Sequence, residues 1–135
     1  MEHPAIPRWV PEAPSSWFLP MIQYLLSLPG VVSHDVHQCM LGAPSLKPTT
    51  LLAVNLPTLG VRIHNLPNHG KCDRSHTHII LKGKDEFGCF LTAPAKQYRP
   101  PLCLLLAGAG HDHLATFLDS GPPDLAHHDN SELAP

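Results

Sequence analysis

Val31-Val32-Ser33-His34-Asp35-Val36-His37-Gln38 and, ten residues further on, Thr49-Thr50-Leu51-Leu52-Ala53-Val54-Asn55 are the two stretches that decide how this chain is read. Both are short, partly alternating and rich in β-branched residues, which is the pattern of strands. The segment between them, Gly42 to Pro48, carries Pro44 and Pro48 as rigid points and is too short for a crossover helix. The two strands are therefore expected to pair antiparallel. Upstream, Trp17, Phe18, Met21, Ile22, Leu25 and Leu26 recur at three- and four-residue intervals, as on one face of a helix. Ser15 or Ser16 suits the cap. Pro20 is tolerated only in a first turn, which moves the expected start to about Leu19, and Pro29-Gly30 ends the helix. Residues 1–14 hold four prolines and read as extended.

Downstream the punctuation is denser. Pro57 to Lys71 reads as irregular, His78 to Leu81 as a short strand, and Gly83 to Gly88 as a polar turn feeding Cys89-Phe90-Leu91, a small hairpin. Pro100-Pro101 suits the first turn of a helix over residues 102–107, which Gly108 and Gly110 are expected to stop. From residue 110 the composition turns to His, Asp, Pro and Ser with few apolar anchors, and residues 110–135 read as a disordered tail behind a module of residues 1–109.

The whole chain has 135 residues, enough for one domain. Sixteen prolines and nine glycines leave no uninterrupted stretch for a coiled coil or a repeat array. A formal net charge of −2 provides no electrostatic footprint for strong nucleic-acid binding. No apolar run approaches the roughly 20 residues of a membrane span. The start MEHPAIPRW lacks the pattern of an export signal, so the four cysteines are expected to be reduced thiols in an intracellular protein, cytoplasmic or nuclear.

Eleven histidines are the compositional outlier. The sharpest cluster is Cys72-x3-His76-x-His78, because thiolate and neutral imidazole are zinc's preferred donors and alternate residues of an extended chain share a side; Cys89 is the expected fourth ligand. The paired Cys-x2-Cys knuckle is absent, and polar loop histidines are the competing explanation. A second cluster, His34-Asp35-x-His37 with Cys39, divides between two faces if all of it lies on a strand, and reads as solvated. Cys103, set among leucines, reads as a core filler. No GxSxG, GxxxxGKS or GxGxxG motif is present, which removes the main supports for hydrolase, P-loop and dinucleotide chemistry.

The blocks EHPAIP, SSWFLPMIQYLLSLPGV, HQCMLGAPSLKPTTLL, KCDRSHTHIILKG and LTAPAKQYRPPLCLLLA, in that order, resemble the C-terminal module of open reading frames of retroelement-type mobile elements, as in dinoflagellate genomes. That module is remotely similar to the distal half of Rossmann-like cytosine-carbon-5 DNA methyltransferases. The resemblance implies an α/β class, as a partial doubly wound (Rossmann-like) sheet with an antiparallel strand pair. It also implies that Glu2 matches the glutamate holding the target base, and that Gly42, Pro44 and Lys47 match a substrate-binding loop. The chain departs from the family at His3-Pro4 and at Lys47-Pro48-Thr49, and it has neither the Pro-Cys nucleophile nor a glycine-rich cofactor loop. Three functions follow as expectations: an inherited module without catalytic activity alone, a small zinc-stabilised module that pairs with a partner or with itself through an open sheet edge, or one part of a split methyltransferase. No cofactor is expected of the module as such; if a metal binds, it is zinc, as in the second of these readings.

Overall fold

A computed structural model of the chain describes residues 1–6, 12 and 15–120. Its centre is a three-stranded sheet of β1 (Glu2–Pro4), β2 (Val31–His37) and β3 (Pro48–Val54), in the order β1-β3-β2. The two long strands pair antiparallel over their whole length, from Val31 opposite Val54 to His37 opposite Pro48, as expected of so short a connection. β1 also pairs antiparallel with β3, Glu2 opposite Leu51.

This corrects the doubly wound expectation. A Rossmann-like sheet needs β1 and β2 as parallel neighbours, whereas here β3 lies between them and every pairing among the described residues is antiparallel. β1 and β2 do point the same way with α1 (Pro20–Ser27) between them in sequence, so the arrangement is a split β-α-β unit with mixed α/β character.

The core forms on one face of the sheet. Alternation along β3 puts Thr49, Leu51 and Ala53 on that face, and Val36 joins them from β2. Two helices cover it: α2 (Pro57–His64) contributes Leu59 and Ile63 four residues apart, and α3 (Pro100–Asp119) contributes Leu102, Leu105 and Ala109 at intervals of three and four. Trp17 is buried next to the start of α1 and its indole Nε1–H donates to the Pro4 carbonyl at 3.0 Å, tying the helical segment to β1. α1 begins at Pro20, in the first turn that proline tolerates, and buries none of its own residues; Met21 and Tyr24 are exposed, while Ile22, Leu25 and Leu26 are half-buried.

Two segments are more ordered than the sequence suggests. Pro57 to His64 was expected to be irregular and is helical, since Pro57 occupies the first turn and the Leu59/Ile63 pair supplies an apolar stripe. Gly60 within it faces the His34 ring; a Cβ there would stand 2.9 Å from Cε1.

The second segment is α3, which was expected to stop at Gly108. It runs on to Asp119, so residues 110–119 of the expected tail are helical, while residues 121–135 lie outside the described residues. Gly108 serves as a passage and not as a stop. The Arg62 guanidinium crosses α3 at that point, where a Cβ would lie 2.6 Å from Nη1, and reaches Asp112 one turn further. The contact is bidentate, Nε to Oδ2 at 2.8 Å and Nη2 to Oδ1 at 3.0 Å, and the Thr58 hydroxyl donates to Oδ2 at 2.7 Å. Arg62 first, with Thr58, holds the Asp112 carboxyl down to about 2. Gly110 meets nothing within 4 Å and is simply accommodated.

His78 to Leu81, expected to be a strand, is not assigned to one. It is anchored to the fold by the Ile79 amide, which donates to the Pro44 carbonyl at 2.9 Å. The expected hairpin beyond it reduces to a single bridge between Lys84 and Phe90, around a turn in which the Asp85 carboxylate accepts from the Phe87 and Cys89 amides.

Candidate metal centre

β2 ends at His37, and the chain turns at once into a 3-10 turn, Gln38–Leu41. Several bonds set that turn. The Gln38 amide donates to the Lys47 carbonyl, the buried Gln38 side chain donates to Thr49 Oγ1 at 2.8 Å, and the Ala43 amide donates to the Gln38 carbonyl. Gly42 closes it at φ 87, the left-handed conformation that favours glycine. Cys39 is thereby held, half-buried, at the end of the sheet.

The other donors arrive from α2. After His64 the chain reverses through Asn68, His69 and Gly70, all with positive φ, and returns to the end of β2. There the Cys72 amide donates to His37 Nδ1 at 2.9 Å. The Asp73 carboxylate accepts from the Ser75 amide at 2.9 Å and the Ser75 hydroxyl at 2.7 Å, with Arg74 left-handed at φ 62. These two bonds to Ser75 lower the Asp73 carboxyl below its ordinary range. The tight turn brings His76 and His78 back over Cys72.

The result is a cluster of Cys39, Cys72, His76 and His78, each offering one donor atom and all four donors lying within 4.8 Å of one another. Cys72 Sγ is 3.4 Å from His78 Nε2 and 3.9 Å from His76 Nε2, and the two Nε2 atoms are 3.1 Å apart. Ordinary Zn–S and Zn–N bond lengths in a tetrahedron require sulfur-to-nitrogen edges of about 3.6 Å and nitrogen-to-nitrogen edges of about 3.3 Å. The observed edges bracket the first and approach the second.

Two further contacts belong to the same pattern. His76 Nδ1 faces the Asp73 carboxylate at 3.7 Å, which orients the ring so that Nε2 points into the cluster. The Arg74 amide donates to Cys72 Sγ at 3.3 Å, a bond that supports charge on that sulfur. The Cys39 thiol is pushed up to about 11 by burial first and then by Cys72 beside it, so a cation that displaces its proton supplies what the protein environment withholds. These four residues can hold a metal ion.

The structure brings together three of the four ligands named from sequence and replaces the fourth. Cys89 lies exposed in the 84–90 turn and is not among the clustered donors. Cys39 takes its place. It had been assigned to the His34/Asp35/His37 group, which separates: His34 covers Gly60, the Asp35 carboxylate accepts from the Thr50 hydroxyl, and His37 positions Cys72. The clue was the change of conformation at Gln38, because strand alternation no longer governs where Cys39 points once the strand has ended. Cys103, read as a core filler, is exposed on α3.

Of the substrate-binding residues implied by resemblance, Pro44 and Lys47 line one small pocket together with Gln38, Ile79, Ala95 and Arg99. The Lys47 ammonium there donates to the Ala95 carbonyl at 2.8 Å and lies 5.4 Å from the Tyr98 ring centre. Gly42 is instead the cap of the Cys39 turn, and Glu2 stands in β1 opposite Leu51. No helix among the described residues is long and apolar enough to cross a membrane. Compared with protein-family models, curated proteins and solved structures, the chain matches none.

Proposed function

We propose that this chain is a small zinc-stabilised protein-interaction module, in which zinc bound by Cys39, Cys72, His76 and His78 fastens the segment 71–82 to the end of the sheet. The observation that carries this reading is the separation of the donor atoms: 3.4 and 3.9 Å between sulfur and nitrogen, 3.1 Å between nitrogens. Two thiolates and two neutral imidazoles neutralise a divalent ion and fill a tetrahedron. A closed shell of this kind leaves no position for a reacting water, so the ion's role is structural. Exposed Phe18, Met21 and Tyr24 at the α1 end of the molecule, and Leu104, Leu114 and Leu118 on α3, supply apolar surface of the kind that binding modules present.

Metal analysis of the purified full chain tests the assignment. One zinc per chain is expected, lost in Cys39→Ser and in Cys72→Ser but kept in Cys89→Ser. Zinc retained by Cys39→Ser, or lost from Cys89→Ser, contradicts it.

A further inference from the structure

The two sulfurs of the metal cluster come from opposite sides of a mechanical divide. Cys39 sits in a 3-10 turn held by the buried Gln38–Thr49 bond and by the first residues of β3. Cys72 lies near the start of a segment, residues 71–82, with no regular secondary structure, and its neighbours Asp73, Arg74 and Ser75 are exposed. The bonds tying that segment to the rest of the fold include those of the Cys72 amide to His37 and the Ile79 amide to Pro44. The Sγ atoms are within 4.8 Å of each other, and a disulfide needs them at about 2.05 Å. The two sulfurs therefore have less than about 3 Å to close.

We propose that Cys39 and Cys72 form a redox-modification site, at which a peroxide converts the two metal-bound thiolates into a disulfide and expels the ion. This rests on the zinc reading above for the ejected ion, though not for the pairing of the sulfurs. The Cys72 thiolate, on the exposed segment, attacks a peroxide oxygen; the O–O bond breaks, Cys72 becomes a sulfenic acid, and the departing hydroxide takes a proton to become water. The Cys39 thiolate then attacks the Cys72 sulfur. An S–S bond forms as the S–O bond breaks, and the second hydroxide also leaves as water after taking a proton. Two thiolates, one peroxide and two protons thus yield one disulfide and two waters, the two electrons passing from sulfur to oxygen. His76 and His78 alone hold zinc poorly, and the ion departs.

The consequence is an exchange of staples. Zinc ties three points of the segment to the sheet end, at Cys72, His76 and His78, whereas the disulfide ties one. Residues 73–82 lose the ties at His76 and His78 and keep the bond from the Ile79 amide to Pro44, in a stretch whose Ile79 and Leu81 line the pocket that holds Lys47.

The full chain carrying Cys89→Ser and Cys103→Ser, which removes both exposed thiols outside the cluster, is loaded with zinc and titrated with hydrogen peroxide. Released zinc is read with a chromogenic chelator, and the linkage by peptide mass mapping. One zinc is expected per peroxide consumed, with a Cys39–Cys72 linked peptide lighter by two hydrogens, and dithiothreitol reverses both changes. Sulfinic or sulfonic acids in place of the linkage, a linkage between chains, or zinc retained after oxidation overturns the proposal. If the chain takes up no zinc, the zinc reading fails separately. The metal-free chain is then oxidised in the same way, where the linked peptide upholds the sulfur pair and its absence overturns it.

Discussion

Stripping zinc from the loaded chain with a chelator is expected to lower its thermal unfolding midpoint by more than about 10 °C. A ligand that binds only the folded state stabilises it by about 4 kcal/mol when its free concentration is ~1,000 times its dissociation constant, and each kcal/mol moves the midpoint of a domain this size by roughly 3–5 °C. The size of the effect follows from what the metal holds. Residues 71–82 contribute no buried side chain and no ladder of main-chain bonds, so little else compensates the entropy of ordering them. The loss extends inward, because Cys39 shares its 3-10 turn with buried Gln38 and Leu41. Differential scanning calorimetry with and without chelator, followed by zinc addition, measures it. An unchanged midpoint contradicts a structural role for the ion.

Leu102→Ala is expected to cost about 2–5 kcal/mol, the range for removing a large aliphatic side chain from a packed site. Leu102 is 1% exposed and belongs to the cluster where α3 meets Leu59 and Ile63 of α2 and Leu51 of β3. Those neighbours sit on two different elements, a helix and a strand, so no single shift closes the cavity left behind. Leu104, two residues along the same helix, is 70% exposed, and Leu104→Ala is expected to stay within about 0.5 kcal/mol. Urea unfolding of the two variants beside the parent gives the comparison, and similar costs for both would mean that α3 packs through a different face.

The strands and their antiparallel pairing were legible because they depend on local pattern and on a short connection. The same is true of α1, whose start at Pro20 follows from proline's geometry. The position of β1 was not legible, since pairing across residues 5–47 is decided by tertiary packing that no local pattern encodes. α3 shows a different limit. Gly108 reads as a stop when judged by propensity, yet it is where the Arg62 side chain crosses the helix, a contact with a residue 46 positions earlier in the chain. Similarly, three of the candidate metal ligands were visible because Cys72, His76 and His78 lie within seven residues of one another in sequence. Cys39 was not, because the reversal through Asn68–Gly70 that brings the Cys72 segment back to the end of β2 depends on backbone conformations at residues that carry none of the chemistry.

X-ray absorption at the zinc edge of the loaded full chain tests the central claim most directly, because it counts the atoms bound to the ion. The account predicts two sulfurs at about 2.3 Å and two nitrogens at about 2.0–2.1 Å, with no further oxygen shell. A shell of nitrogen and oxygen alone, or one with a single sulfur and bound water, would contradict it.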